Sequence, residues 1–254
     1  MTHIPLVIHT EALKFPYAAD KLEGLGKEIN GAYRPVLAVV TPLNPMYHTD
    51  PLKDPTRTLV ERPEITDAHM KRFEENLSML SQWFDIGYHG HYFKPGVNGY
   101  IPEISQLGAT TQFLAEVNLL RRLGYKCETY AGGWWHLSQE VAMLLELNGF
   151  KVDTTVNSER KDSFDRLQYG RHLAFGRPGY LTRNVMEIQT QRRVYCGLTI
   201  LDDPHKFYAY SFHDYDLMLT DYATKMRIRF MLAQCARSKS KSISEALETA
   251  LVVA

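Results

Sequence analysis

The stretch DIGYHGHYF, residues 85–93, follows an apolar, helix-like run and carries two histidines two positions apart. If the backbone is extended there, side chains alternate between the two faces of a strand, so His89 and His91 point to the same side. Two neutral imidazoles on one side can bind a divalent metal ion. Gly87 and Gly90 allow a ligand close to the backbone. The stretch therefore predicts a strand that ends in a metal site, although isolated His-x-His pairs also occur as solvated surface pairs.

A carboxylate that can complete such a site ends the first strand-like run, IPLVIHTE at residues 4–11. Its apolar centre predicts a buried strand, with His9 and Glu11 on one face at the C-terminal end. Parallel sheets keep their active sites at this end of their strands. The alternative for Glu11 is an ordinary carboxylate in the first turn of a following helix.

A third candidate lies late in the chain, in FYAYSFHDYDL at residues 207–217. The alternating aromatic residues predict a strand that delivers His213 at its tip, flanked by Asp214 and Asp216. A neighbouring carboxylate orients an imidazole and favours its charged form, which suits a proton donor. The alternative is a histidine in an ordinary acidic loop.

The rest of the chain alternates strands with helices, which implies parallel pairing with right-handed crossovers. Spacing and capping predict helices at 66–82, 109–123, 138–148 and 221–237, a last helix that begins at Ser242, and further strands at 34–40, 126–130 and 151–156. A proline-rich loop at 42–63 is long enough to border a site.

Composition agrees with one catalytic domain over residues 1–254, with closing helices at about 220–254. The chain has 44% hydrophobic residues, and its 29 basic and 29 acidic residues argue against general nucleic-acid binding. No run approaches the length of a membrane span, and no signal-peptide pattern is present. Three scattered cysteines, Cys127, Cys196 and Cys235, favour a reduced, cytoplasmic protein.

Together these stretches resemble the polysaccharide deacetylase family. VIHTE (7–11) resembles its first acidic motif, IGYHG (86–90) its metal-histidine motif, YAGGW (130–134) its groove motif, and SFHDYDL (211–217) its late histidine motif. NGFKVDTTV (148–156) is similar to the family's helix-to-strand turn. The resemblance implies an α/β fold, a single-domain, distorted (β/α) barrel of about seven parallel strands of the NodB-like type.

The resemblance also implies a site that holds a divalent metal ion, with zinc as the expected ion and Glu11, His89 and His91 as its ligands. The family's second metal histidine lies four residues after the first, where this chain has Phe93. His91 therefore has to take that place through a different loop geometry.

The catalytic residues implied by the resemblance are His9 as general base and His213, with Asp214 beside it, as general acid. The family uses an acidic residue where this chain has His9, and an arginine that orients this base where the chain has Tyr130. Histidine can still act as a base.

The expected saccharide contacts are Tyr130 and Trp134 of the groove motif and the adjacent Trp135. Indole rings stack on the apolar faces of sugars, although one tryptophan of such a pair is often part of the core.

We therefore expect a metal-dependent hydrolase that removes an acetyl group from an acetamido or O-acetyl sugar during surface-polysaccharide (O-antigen) biosynthesis. Its substrate would be a nucleotide-linked or lipid-linked saccharide in the cytoplasm. Two alternatives stay open. The first is an inactive saccharide-binding protein of the same fold, and the second is an amidohydrolase-type metal hydrolase, a class whose His-x-His pair lies on the first barrel strand.

Overall fold

The computed structural model of the chain describes residues 5–53, 64–97, 99–155, 179–191, 209–238 and 240–253. The strands in these ranges are β1 (Leu6–Thr10), β2 (Val36–Val39), β3 (Asp85–Gly90), β4 (Phe93–Gly96), β5 (Gly99–Pro102), β6 (Thr129–Gly132), β7 (Val152–Asp153), β8 (Gly179–Tyr180), β9 (Met186–Glu187), β10 (Thr190–Gln191) and β11 (Ala209–His213). The helices are α1 (Pro16–Ile29), α2 (Asp67–Leu80), α3 (Ala109–Arg122), α4 (Gln139–Leu147), α5 (Tyr222–Arg237) and α6 (Ile243–Val253).

Nine of the described strands form one sheet in the order β10-β11-β1-β2-β3-β6-β7-β9-β8. Every neighbouring pair is parallel except β8 and β9, and β4 and β5 form a separate antiparallel hairpin. The predicted α/β fold with a mostly parallel sheet is confirmed. The sheet has eight parallel strands, where about seven were predicted.

Both faces of the sheet are covered, which explains why β1 and β2 have no exposed position and why residues 6–8 and 36–39 are all apolar. Leu6 and Ile8 belong to the large core cluster that also contains the apolar faces of α1 to α4. Val7 and Ala38 point the other way, into a smaller cluster closed by Ile243 of α6. This alternation fixes the register of β1, because a shift by one residue would exchange its two faces.

The predicted helices are confirmed with small shifts at their ends. Thr66 caps α2 by accepting a hydrogen bond from His69 N, and Gly124, with a φ of 93°, follows the end of α3 as expected. Ser242 accepts a hydrogen bond from Glu245 N at the start of α6.

Helix α1 was not predicted, although its signals are present in the sequence. Pro16 occupies the first helical turn, where its missing N–H costs nothing, and Asn30 ends the helix with a left-handed backbone. The buried positions Ala18, Leu22 and Leu25 follow helical spacing.

Cys127 and Cys235 are buried and free, and Cys196 lies outside the described residues. Across the described part of the chain, we find no helix that combines the length and the apolar character needed to cross a membrane. The predicted single domain over residues 1–254 stays a prediction.

Candidate metal centre

His9, His89 and His213 meet at the C-terminal end of the sheet, because they lie at the ends of three strands that are close together in its order. His9 lies in β1 and His213 ends β11, and these two residues are paired in the parallel register of the two strands. His89 lies near the end of β3, on the other side of β2. All three side chains therefore project from the C-terminal ends of parallel strands, as we predicted from the sequence.

Glu11, His89 and His91 converge on a common point. Oε1 of Glu11 lies 2.9 Å from Nε2 of His91 and 3.2 Å from Nε2 of His89, and the two Nε2 atoms are 3.0 Å apart. All three residues are buried. These three atoms form a group that can hold a metal ion, as the sequence predicted for the same residues.

The protonation of His89 is set by its other ring nitrogen. Nδ1 of His89 lies 2.8 Å from the carbonyl oxygen of Ala131, which only accepts hydrogen bonds, so Nδ1 carries the proton. In the neutral ring, Nε2 then presents a lone pair to the Glu11 carboxylate and to Nε2 of His91. The lone pair of His89 Nε2 and the Glu11 carboxylate thus face the His91 Nε2 atom, an arrangement that suits a shared proton or a bound metal cation.

The three atoms lie close enough together to share one metal ion, and zinc provides a reference for the distances. With bonds of about 2.0–2.2 Å and tetrahedral geometry, ligand atoms lie roughly 3.3 Å apart. The observed separations of 2.9, 3.0 and 3.2 Å are close to that value. Three protein ligands that leave a fourth position free are typical of catalytic rather than structural zinc sites.

Asp214 holds the carboxylate ligand in place. Its two carboxylate oxygens accept hydrogen bonds from the backbone N–H groups of Glu11, at 3.1 Å, and Ala12, at 2.8 Å. It also accepts from Tyr215 N at 2.9 Å. The sequence placed Asp214 beside His213 as its partner in catalysis, whereas the structure directs its carboxylate to the β1 loop.

Asp216 is the acid that accompanies His213. Its Oδ2 accepts a hydrogen bond from the backbone N–H of His213 at 3.0 Å and lies 4.0 Å from Nδ1 of the ring. Arg227 of α5 approaches the same oxygen at 3.6 Å. The other ring nitrogen of His213, Nε2, lies 3.7 Å from Oε1 of Glu11, so the ring lies between the carboxylates of Asp216 and Glu11.

His9 lies between the ligand group and His213. Its ring stacks on that of His89 with centroids 4.5 Å apart, and it meets the His213 ring edge-on at 5.0 Å. His9, His89 and His213 form a second group whose ligand atoms lie within 4.8 Å of one another. His9 thus lies beside the ligand group, where a neutral imidazole can accept a proton.

The His-x-His spacing is accommodated by the loop after β3. The His91 ring packs edge-on against Trp134 at 4.4 Å between ring centroids, and Phe93 packs edge-on against the same residue at 5.4 Å. Gly133 lies so close to the His91 ring that a Cβ there would be 2.4 Å from Nδ1. His91 therefore reaches the site, and Gly133 provides the space for its ring.

The two tryptophans lie beside this site, and Tyr130 does not. Trp134 and Trp135 are half-buried, and both adopt left-handed backbone angles, with φ of 50° and 60°, which bulky residues rarely do. Trp135 lies 5.7 Å from His9 between ring centroids. Tyr130 is fully buried and its hydroxyl contacts that of Tyr92 at 3.2 Å, so it is a core residue and burial argues against the predicted saccharide contact.

The turn after β7 supports the tryptophan loop. Gly132 N donates to Thr155 Oγ1 at 2.7 Å, and the Thr155 hydroxyl donates to Asp153. The DTT segment singled out in the sequence thus fixes the residue that precedes the strained loop.

Sequence reasoning missed a buried polar group behind His91. Glu116 lies on the apolar face of α3, three residues after Phe113, and contacts Asn44 and Gln112. A glutamate within an otherwise apolar stripe was the signal that could have drawn attention to it.

No protein-family model matches the sequence, and no curated protein is significantly similar to it. Solved structures do share its fold. One is a candidate polysaccharide deacetylase from Mycobacterium smegmatis, with 11% identity and a TM-score of 0.56 over 99% of this chain and 90% of that one. Another is the 4-alpha-glucanotransferase from Thermococcus litoralis, with 12% identity and a TM-score of 0.55 over 98% of this chain and 40% of that one.

At these identities the likeness establishes the fold. The two proteins carry the names of different activities, so the fold alone does not determine what this chain does. The function has to be argued from the side chains at the end of the sheet.

Proposed function

We propose that the chain is a metal-dependent hydrolase that removes an acetyl group from an acetamido or O-acetyl sugar. The observation that carries this proposal is the convergence of Glu11, His89 and His91 on one point, with His9 and His213 beside it. An amide or ester hydrolase of this kind needs a metal site with an open coordination position, a general base and a general acid. The three-ligand group and the imidazoles of His9 and His213 can provide them. We expect zinc, since the ligand types and their spacing suit it.

When bound, the metal ion supplies a Lewis acid that polarises the acetyl carbonyl and activates water. The ring nitrogen of His9, which lies within 4.8 Å of the ligand nitrogens of His89 and His213, accepts the proton from the attacking water. Stacking on His89 keeps the His9 ring in place. Asp214 keeps Glu11 in position by binding its backbone, so we assign Asp214 a positioning role.

His213 donates a proton to the leaving amine or alcohol. Nε2 is the donating atom, because it faces Glu11 and the ligand group, while Nδ1 faces Asp216. Asp216, whose Oδ2 lies 4.0 Å from Nδ1, is on the far side of the ring and leaves Nε2 directed at the ligand group. The half-buried Trp135 lies beside His9, where an indole can stack on the sugar ring.

The substrate we propose is a nucleotide-linked or lipid-linked saccharide made in the cytoplasm for a surface polysaccharide such as O-antigen. The buried, free thiols of Cys127 and Cys235 fit a reducing compartment. The name of the structural relative from Mycobacterium smegmatis supports deacetylation as the reaction to test first.

The test is acetate release from a panel of acetamido-sugar nucleotides and acetylated oligosaccharides, measured together with metal content. We expect the parent protein to bind about one zinc ion and to release acetate, and stripping with a chelator to abolish release until zinc is restored. His89→Ala should lower metal content sharply because one of three protein ligands is lost. Equal metal content in His89→Ala and parent would refute the site.

The same experiment separates the alternatives. A protein that binds saccharide but releases no acetate with any divalent metal would be a binding protein of this fold. An amidohydrolase is disfavoured because its His-x-His pair lies on the first barrel strand, whereas His89 lies on β3.

A further inference from the structure

We propose that Glu116 is a positioning residue, which holds His91 in the metal site through two amide side chains. This inference rests on the proposed function, because it assumes that His91 binds the metal ion. It goes further by assigning a role to a buried carboxylate 25 positions from His91 in the sequence, which touches none of the predicted ligands.

Glu116 is fully buried and accepts three hydrogen bonds from side chains. Its Oε2 accepts from Thr41 Oγ1 at 2.9 Å, and its Oε1 accepts from Asn44 Nδ2 at 2.9 Å and from Gln112 Nε2 at 2.8 Å. The three partners come from the loop after β2 and from α3 itself. A buried carboxylate that accepts three hydrogen bonds has its hydrogen-bonding capacity well satisfied, so Glu116 is an integral part of the core.

Both amides use their second N–H on the same atom, the backbone carbonyl oxygen of His91. Asn44 Nδ2 donates to it at 2.8 Å and Gln112 Nε2 at 2.6 Å. Each NH₂ group thus bridges Glu116 and His91, and the carbonyl is held from two directions. A single amide group therefore links the Glu116 carboxylate to the backbone of His91.

The orientation of the two amides is fixed at their oxygens. Asn44 Oδ1 accepts from Met46 N at 3.0 Å, and Gln112 Oε1 accepts from Phe93 N at 3.3 Å. A flipped amide would present oxygen to the Glu116 carboxylate and to a carbonyl, which is unfavourable. Gln112 therefore forms hydrogen bonds to the backbone on both sides of Tyr92. This is the segment that has to bend so that His91 can reach the metal site.

This network explains how the short spacing is tolerated. In the family that the sequence resembles, the second histidine lies four residues after the first, whereas His91 lies only two residues after His89. With two residues fewer between the ligands, the backbone of His91 has to be held at a defined place. Groups that orient metal ligands from behind typically contribute 10- to 100-fold to metal affinity. Glu116, Asn44 and Gln112 occupy that position with respect to His91.

The test is a double-mutant cycle on metal affinity, with variants Glu116→Gln, His91→Ala and the combination of both. Gln has the size of Glu but no charge, so the charge-assisted hydrogen bonds from Asn44 and Gln112 become weaker neutral ones, or are lost where the new NH₂ group faces these amides. Zinc dissociation constants are measured on metal-stripped, folded protein by competition with a chromophoric chelator. The measurement is made at pH 8, since burial raises the pKa of Glu116 to about 7 and the carboxylate then predominates.

We expect Glu116→Gln to weaken zinc binding by about 10- to 100-fold and to alter the visible spectrum of the cobalt-substituted protein. In the His91→Ala background, the same change should alter the affinity by less than about 2-fold, because the residue through which it acts is gone. The matched control is Glu140→Gln on α4, which changes the acceptor of one hydrogen bond from Thr110 from a carboxylate to an amide and lies outside the network. Its zinc affinity should equal that of the parent.

A second variant covers the case in which Glu116→Gln does not fold. Gln112 is half-buried, and Gln112→Ala removes one of the two donors to the His91 carbonyl, with an expected loss of about 10-fold. Parental affinity in both Glu116→Gln and Gln112→Ala, or a loss that persists in the His91→Ala background, would overturn the positioning role. Parental affinity in His91→Ala would instead overturn the ligand set, and with it the proposed function.

Discussion

Replacing Gly133 by alanine is a sharp test of where the His91 ring lies. A Cβ on Gly133 would be 2.4 Å from Nδ1 and 2.6 Å from Cε1 and Cγ of that ring, whereas ordinary contact begins at 3.4 Å. The ring would have to retreat by about 1 Å, several times the roughly 0.2 Å within which metal–ligand distances are held. The backbone of Gly133 is not left-handed, so alanine is compatible with the local conformation and the contact with His91 dominates the effect.

We expect Gly133→Ala to weaken zinc binding by at least about 10-fold, and overpacking to lower the free energy of unfolding of the metal-free protein by about 1–3 kcal/mol. Chelator competition measures the first quantity and chemical denaturation the second. The control is Gly24→Ala in α1, where an added Cβ meets nothing within 4 Å and alanine favours the helix.

Adding His91→Ala to Gly133→Ala removes the ring that the methyl group strikes, so part of the lost stability should return. Unchanged zinc affinity in Gly133→Ala, or no recovery in the double variant, would show that the His91 ring is not where the structure has it.

Two further predictions concern His213 and Glu116. His213→Ala should reduce acetate release by about 100-fold while metal content and melting temperature stay at the parental values, the scale expected for loss of a positioned acid, and parental turnover would remove it from the mechanism. Burial raises the pKa of Glu116 from 4.5 to about 7 in the folded protein, so the folded state binds more protons between these values and stability should fall by about 3 kcal/mol as pH rises from about 4.5 to 7. Glu116→Gln should remove that slope in denaturation experiments; a slope that is the same in both proteins would contradict it.

The sequence was most informative where local pattern and position in a strand coincide. His9, His89 and His213 end apolar or aromatic runs, and parallel strands bring such ends together, so their meeting could be predicted. The helices at 66–82 and 109–123 were predictable for a similar reason, because caps and apolar spacing agreed at both.

The orientation of side chains after the strands could not be predicted. Asp214 and Asp216 are both acids next to His213, and only the 3-10 helix at Asp214–Met218 decides that the first binds the β1 loop and the second faces the ring. Tyr130 was assigned to the groove from its motif, but the alternation along β6 turns it into the core. The Glu116 network depends on contacts among three distant segments, which no local pattern reveals.

The hydrogen bonds from the Glu11 and Ala12 backbone to Asp214 join parts of the chain that are 203 and 202 positions apart. Glu11 can therefore be fixed only after β11 has been synthesised and has paired with β1, a step with a large loop-closure cost. During synthesis, His89 and His91 are made long before Asp214, the residue that binds the backbone of their carboxylate partner Glu11. A metal ion that requires all three ligands will bind tightly only to the finished sheet, and by binding the folded state alone it will also keep β11 in place. A bound metal ion would join the loop after β1 to β3 and the loop that follows it, while β11 would be held through the hydrogen bonds from Glu11 and Ala12 to Asp214. Metal removal should therefore loosen this contact with β11 before it affects α2 or α3.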